Sequence, residues 1–338
     1  MTPDQTTSSS AAEGQFTTDK SAELARRIGD QAQRLFEEVC KVIVGKHEKI
    51  RLIIAALITE GAHVLMEDMP GLGKSVLSNT LAQATGCDFR RIQFTPDLLP
   101  ADINGTYIYD QKVGEFVFKP GPIFTNFLLA DEINRASPKT QSALLEAMAE
   151  KQVSVEGTTH NLPKPFVVMA TQNPVEQQGT YPLPEAQMDR FMIKMSMGYP
   201  DLDEEAEIIT RRMSRKSDSF KVQQITTAKT IEQMQRATEE VHVSKDIVRY
   251  ISKIIVGTRE HHHVTAGSSP RGTLALFKLS RAVAAMEQRD YVTPDDVKQL
   301  VHHVLAHRLI LKPEARIKRI PPEQILDEIV ADIPVPKV

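Results

Sequence analysis

The chain has 338 residues, 41% hydrophobic and 25% charged, the balance of a folded globular protein long enough for two ordinary domains. Its 41 basic and 44 acidic side chains leave a formal charge of -3, which argues against a surface built throughout to hold nucleic acid. Two cysteines without CxxC spacing, Cys40 and Cys87, exclude a disulfide framework and point to the cytoplasm, and no apolar run reaches the ~20 residues of a membrane helix.

Residues 1–18 are rich in Thr, Ser and Gln, lack a basic-then-apolar signal pattern, and read as a loose tail. Leu24, Ile28, Leu35 and Val39 fall at helical spacing, which predicts a helix over 22–40. A second helix is expected over 47–60, with Ile50, Ile53, Ile54, Leu57 and Ile58 on one face. Continuous apolar runs at 63–66, 127–130 and 166–170 suit strands buried on both faces, as in a parallel sheet between helices. Each run ends in a polar or glycine-bearing loop, the end at which α/β sheets bind ligands. Alternating stretches at 105–109 with 114–118, and at 153–156 with 158–162, read as two β-hairpins. After residue 200 helices are expected over 201–216, 231–241, 244–259, 271–288 and 293–311, with Ser269-Pro270 and Thr293-Pro294 as start signals. The expected organisation is an α/β core over 19–198 and a smaller helical domain over 199–338. His261-His262-His263 reads as a solvated loop, and His302, His303 and His307 as polar helix surface. Arg90-Arg91 reads as a short solvated basic patch.

The sharpest motif is Asp68-Met69-Pro70-Gly71-Leu72-Gly73-Lys74-Ser75. It meets G-x-x-x-x-G-K-[ST] at its last three positions and replaces the first glycine with Asp68. Gly71 and Gly73 let the backbone around Leu72 turn its N–H groups toward a polyphosphate. The helix from Lys74 through Val76 adds its positive N-terminal end. Lys74 would reach the β- and γ-phosphates and Ser75 would ligate Mg²⁺. A carboxylate at Asp68 is unfavourable there unless it points away or meets a cation. The second apolar strand ends in Asp131-Glu132, the acid pair a phosphate loop needs: Asp131 for the metal, Glu132 to take a proton from the attacking water. The third ends in Thr171-Gln172-Asn173-Pro174, where the Asn173 amide would orient that water. A polyphosphate ligand and Mg²⁺ are therefore expected here.

Three strings are longer and more specific: Pro120-Gly121-Pro122-Ile123-Phe124, Leu129-Ala130-Asp131-Glu132-Ile133-Asn134-Arg135-Ala136, and Gly179-Thr180-Tyr181-Pro182-Leu183-Pro184-Glu185-Ala186-Gln187-Met188-Asp189-Arg190-Phe191. With Ala170-Thr171-Gln172-Asn173-Pro174 they resemble the MoxR family of AAA+ ATPases over roughly residues 39–311. The resemblance implies a P-loop AAA+ three-layer αβα core with two inserted hairpins and an all-helical lid. It makes Asn173 the first sensor, Arg190 the arginine finger for a neighbouring subunit's ATP, and Arg271 the second sensor. It sets Ile43, Val44 and Gly45 against the adenine, and makes Arg135 an interface or site residue. It further implies a homo-oligomeric ring, a hexamer, that remodels protein clients, among them von Willebrand factor A domain proteins. Direct membrane insertion and nucleic-acid binding are not expected. A chelatase motor or nucleic-acid translocase of the same clade, and an ATP-assembled scaffold with little turnover, stay open as alternatives. A nucleotide kinase has no use for the Asn173 and Arg190 strings. Tyr107, Tyr109, Phe116 and Phe118 of the first hairpin either grip a partner or bury one hairpin face.

Overall fold

The computed structural model describes residues 10–112, 114–173 and 180–336, with side chains from Lys20 onward. Residues 1–9, Val113, Pro174 and Gly179 lie outside the described residues. The core domain runs α1 (Ser10–Val42), α2 (His47–Leu57), β1 (Val64–Glu67), α3 (Lys74–Ala84), β2 (Phe89–Gln93), α4 (Pro100–Asn104), β3 (Gly105–Asp110), β4 (Glu115–Pro120), β5 (Phe127–Asp131), α5 (Pro138–Glu150), β6 (Gln152–Val155), β7 (Thr158–Asn161), β8 (Val167–Gln172), α6 (Glu185–Met188) and β9 (Ile193–Met195). α1 begins at Ser10, inside the stretch expected to be tail, because 10–42 holds good helix formers and no proline to stop it.

Strands β2, β5, β8, β1 and β9 form one sheet in that order, every pairing parallel. Successive strand residues point to opposite faces, and here both faces are covered. Val64 and Met66 join the cluster under α2 and α3, while Leu65 joins the cluster under α5. That is why the sequence shows continuous runs rather than alternation. β3 and β4 form the first hairpin and β6 and β7 the second. The aromatics of the first hairpin divide. Tyr109 and Phe116 are exposed at its tip, whereas Phe118 stacks on His160 of the second hairpin, centroids 3.9 Å apart.

The lid runs α7 (Leu202–Arg215), α8 (Ala228–Thr238), α9 (Lys245–Glu260), β10 (Val264–Ala266), α10 (Pro270–Met286), α11 (Pro294–Lys298), α12 (Val301–Leu305), β11 (Ile310–Leu311), α13 (Pro313–Ile317) and α14 (Pro322–Asp332). It is helical apart from the short β10–β11 pair. The continuous helix expected over 293–311 is broken into α11, α12 and a tight 3₁₀ turn, Ala306–Arg308. The break corrects the surface assignment of His307: both His307 and Arg308 are buried. The turn sets His307 against Phe191, whose carbonyl its Nε2 meets at 3.1 Å. Among the described residues, no helix is long and apolar enough to cross a membrane.

Candidate nucleotide site

β1 delivers the chain into the phosphate loop at the C-terminal edge of the sheet. Gly71 (φ 87°) and Gly73 (φ 76°) occupy the left-handed region, and a Cβ on either would meet nothing within 4 Å. The loop is thus shaped by backbone freedom and its inner side is open. Lys74 opens α3 and its Nζ donates to the carbonyls of Asp68 (2.9 Å) and Met69 (3.1 Å). Burial pulls its ammonium below the usual lysine value, against the opposing pull of Asp68, Asp131 and Glu132.

Asp68 points away from the loop, which resolves the conflict the motif raised. Its carboxylate accepts from Ser196 Oγ (2.6 Å), the Met197 amide (2.8 Å) and the Gly198 amide (3.1 Å). The first residue of the loop therefore anchors the strap that leads from β9 into the lid.

A cavity of about 320 Å³ brings together Gly71, Gly73, Lys74, Ser75, Asp131, Glu132 and Asn173. Asn173 follows directly on β8, beside the acid pair that closes β5. Thr171 organises that pair, its hydroxyl donating to Asp131 Oδ1 (2.6 Å) while accepting from the Glu132 amide (2.8 Å). Glu132 itself has φ 56°. For a residue with a Cβ this is a costly conformation, and it turns the chain out of the strand at the point where the acid must face the cavity.

Two cavity residues that sequence reasoning passed over come from β2. Arg91 donates to Asp131 Oδ2 through Nη2 (2.6 Å) and Nε (3.1 Å), and Gln93 donates to Glu132 Oε2 (2.6 Å). Two residues apart on a strand, they share a face and hold one acid each. Arg135 also pairs with Glu132 at 3.1 Å. Arg91 stands inside the pair read as a solvated basic patch. Its role follows from the β2–β5 pairing, which sets Gln93 opposite Asp131.

A second cavity of about 490 Å³ continues on the other side of the loop. Ile43, Val44, Leu72 and Val76 line it, closed by Tyr199 and Ile208 from the lid side. Apolar walls beside a donor-lined cavity fit a base joined to a polyphosphate. The Ser75 hydroxyl and Asp131 carboxylate supply the hard oxygen donors that Mg²⁺ takes.

Arg190 and Arg271 line neither cavity. Asp189 adjoins both, along the chain for Arg190 and by side-chain contact for Arg271. Arg190 follows it in the chain and donates from Nη1 to the Leu145 carbonyl (2.6 Å). Arg271 Nη1 lies 3.7 Å from Asp189 Oδ2, with its side chain 55% exposed.

A phosphate loop, a strand-end acid pair with a neighbouring polar strand end, and a helical lid define a P-loop ATPase of the AAA+ class. Residues 63–193 match the model of the ATPase family associated with various cellular activities (AAA), and 256–329 match that of the AAA lid domain. The chain is 41% identical over 315 residues to the protein named chaperone MoxR1 of Mycobacterium tuberculosis, covering 90% of this chain and 82% of that one. It is 49% identical over 301 residues to the uncharacterized Bacillus subtilis protein YeaC, covering 89% and 93%. A crystal structure from Cytophaga hutchinsonii, described as that of an ATPase, superposes with a TM-score of 0.88 at 41% identity, covering 95% of this chain and 99% of that one. The chain belongs to the MoxR family of AAA+ ATPases.

Proposed function

We propose that the protein hydrolyses ATP at the subunit boundaries of a homo-oligomeric ring, a hexamer, and uses the cycle to remodel or mature protein clients in the cytoplasm. The observation that carries this reading is the separation of Arg190 and Arg271 from the chain's own cavities. Arg190, whose guanidinium meets the Leu145 carbonyl, and Arg271, beside Asp189, both stand away from the cavity of Lys74 and Asp131, which supports service at a neighbour's site. A guanidinium arriving in trans stabilises charge on the transferring phosphoryl group and is worth ~10³–10⁵ in rate.

Within one site, Lys74 and the loop amides would bind the phosphates, and Ile43 and Val44 the base. Ser75 and Asp131 would hold Mg²⁺, which when bound neutralises charge on the bridged phosphates. Glu132 would take the proton of the water that Asn173 orients. The client reading draws on the relative named a chaperone and on the exposed Tyr109 and Phe116 at the hairpin tip. The family resemblance adds von Willebrand factor A domain proteins as clients. Cys40 and Cys87 are free thiols, in keeping with a reducing compartment.

A second reading, an ATP-assembled scaffold with little turnover, is favoured by one feature: Arg91, Gln93 and Arg135 tie up both acids. Turnover measured against protein concentration, with sedimentation of the same samples, separates the two. A rate per subunit that climbs as rings form, and disappears in Lys74→Ala and Glu132→Gln, is the expected result. Assembly with ATP but a flat, negligible rate would favour the scaffold.

A further inference from the structure

The short segment from Asp189 to Met192 carries Arg190 between α6 and β9, and the lid grips it on both sides of that arginine. Arg308, at the 3₁₀ turn that follows α12, has its side chain only 3% exposed. Its Nε donates to Asp189 Oδ1 (2.7 Å), and its Nη2 donates to the carbonyls of Asp189 (3.2 Å) and Phe191 (2.8 Å). Nη1 donates to the Met192 carbonyl (3.3 Å) and to that of Val304. One planar, permanently charged group thus holds the residues before and after Arg190, a fan of bonds that a lysine ammonium cannot reproduce. His307 adds a bond from its Nε2 to the Phe191 carbonyl (3.1 Å).

Asp189 returns the grip. Its other oxygen accepts from Ser269 Oγ (2.9 Å), the N-cap residue of α10, and the same hydroxyl accepts the Arg271 amide (3.1 Å). α10 also approaches closely: a Cβ on Gly272 would stand 2.0 Å from Ser268 Oγ and 3.1 Å from Arg308 Cδ. The start of α10, the end of α12 and the Arg190 segment therefore meet at one carboxylate. A buried ion pair of this kind is a weak source of net stability, and its best-attested use is to fix geometry.

We propose that Arg308 and Asp189 are positioning residues for the arginine given in trans: they lock the Asp189–Met192 segment to the lid, so that the lid of one subunit sets where its Arg190 reaches in the next subunit's site. The proposal rests on the trans reading of Arg190 above. It gives each lid a mechanical output into the neighbouring site, beyond any part it plays at its own.

Mixed rings test it. Arg308→Lys, Asp189→Asn and Arg190→Ala are each assayed alone and in equal mixture with Glu132→Gln subunits, mixing being confirmed by sedimentation of differently labelled chains. Alone, each variant should bind a fluorescent ATP analogue within about twofold of wild type and lose at least tenfold in turnover. Mixed, each should recover toward about a quarter of wild-type turnover, the share of interfaces in a random ring that pair an intact site with an intact finger. Ser269→Ala, which removes one bond to Asp189 without touching the buried guanidinium, should show the same pattern with a smaller loss. If Arg190→Ala mixtures recover while the Arg308 and Asp189 mixtures stay inactive, the pair serves its own chain's site and the proposal is overturned; loss of analogue binding has the same meaning. If the Arg190→Ala mixtures also stay inactive, the trans reading fails and this proposal with it.

Discussion

Asp68 shows how far a motif carries and where it stops. The phosphate-loop pattern identifies Gly71, Gly73, Lys74 and Ser75 because their spacing is local, and the same holds for Asp131-Glu132 at a strand end. The partners of Asp68, Ser196 to Gly198, lie about 130 residues further along, and Arg308 lies 119 residues from Asp189; no local pattern announces either. Removing the Asp68 carboxylate would leave the buried Met197 amide without its acceptor, and an unmet buried donor costs roughly 1–3 kcal/mol. Asp68→Ala is thus expected to lower unfolding free energy by about that much. It should also weaken nucleotide binding, because Gly198 and Tyr199 form a wall of the cavity proposed for the base. Asp68→Asn, which keeps one acceptor oxygen, should fall between. Denaturant unfolding and analogue titration on the three proteins check this, and unchanged stability in the alanine variant would mean that the strap is held by other contacts.

At the scale of elements, legibility follows burial. β1, β5 and β8 sit inside the sheet and announce themselves as unbroken apolar runs. β2 and β9 are its edges. In β2, Phe89-Arg90-Arg91-Ile92-Gln93, only Ile92 is buried, and β9 has three residues, so neither carries the period that marks a strand. The hairpins were legible from alternation and glycine, but the closeness of their roots was not. At the base of β3–β4, a Cβ on Gly121 would fall 2.1 Å from the Ile103 carbonyl oxygen and 2.5 Å from the Gly105 nitrogen. Both obstacles are backbone, so the clash cannot be relieved by turning a side chain. Gly121→Ala should therefore loosen the hairpin root by about 2 kcal/mol, within the range for overpacking a tight site. Hydrogen exchange reads this directly: amides of β3 and β4 should exchange faster while those of β5 and β8 keep their protection. Equal acceleration throughout the domain would instead indicate a globally coupled element.

Across the whole molecule, one apolar cluster runs from α1 through the sheet into α10 and α14, so lid and core share a continuous interior. Two buried histidines add polar ties elsewhere in the interior. His63, entering β1, accepts the Val168 amide at Nδ1 (3.0 Å) and points Nε2 at the Met148 carbonyl (3.3 Å). His307 ties the lid to Phe191. Burial lowers the His63 value from 6.5 to about 4, and burial followed by the neighbouring Arg308 charge holds His307 well below its usual range. The fold thus favours both rings neutral. Their contribution is fully present above pH 6.5 and is lost as pH falls from there toward the folded values, since the unfolded chain takes up the protons first. For His63 the full loss is ~3 kcal/mol. Carboxylates act in a lower window, because Glu60, bonded by Lys151, and Glu204, bonded by Lys46, are held below their ordinary values. Denaturant unfolding between pH 7.5 and 5 therefore isolates the histidines, and stability should hold down to about pH 6.5 and fall below it. His63→Asn, whose side-chain oxygen can take the Val168 amide without titrating, should flatten the slope. A slope equal to wild type would show that acid enters the molecule elsewhere and that His63 is not among the groups that charge on unfolding.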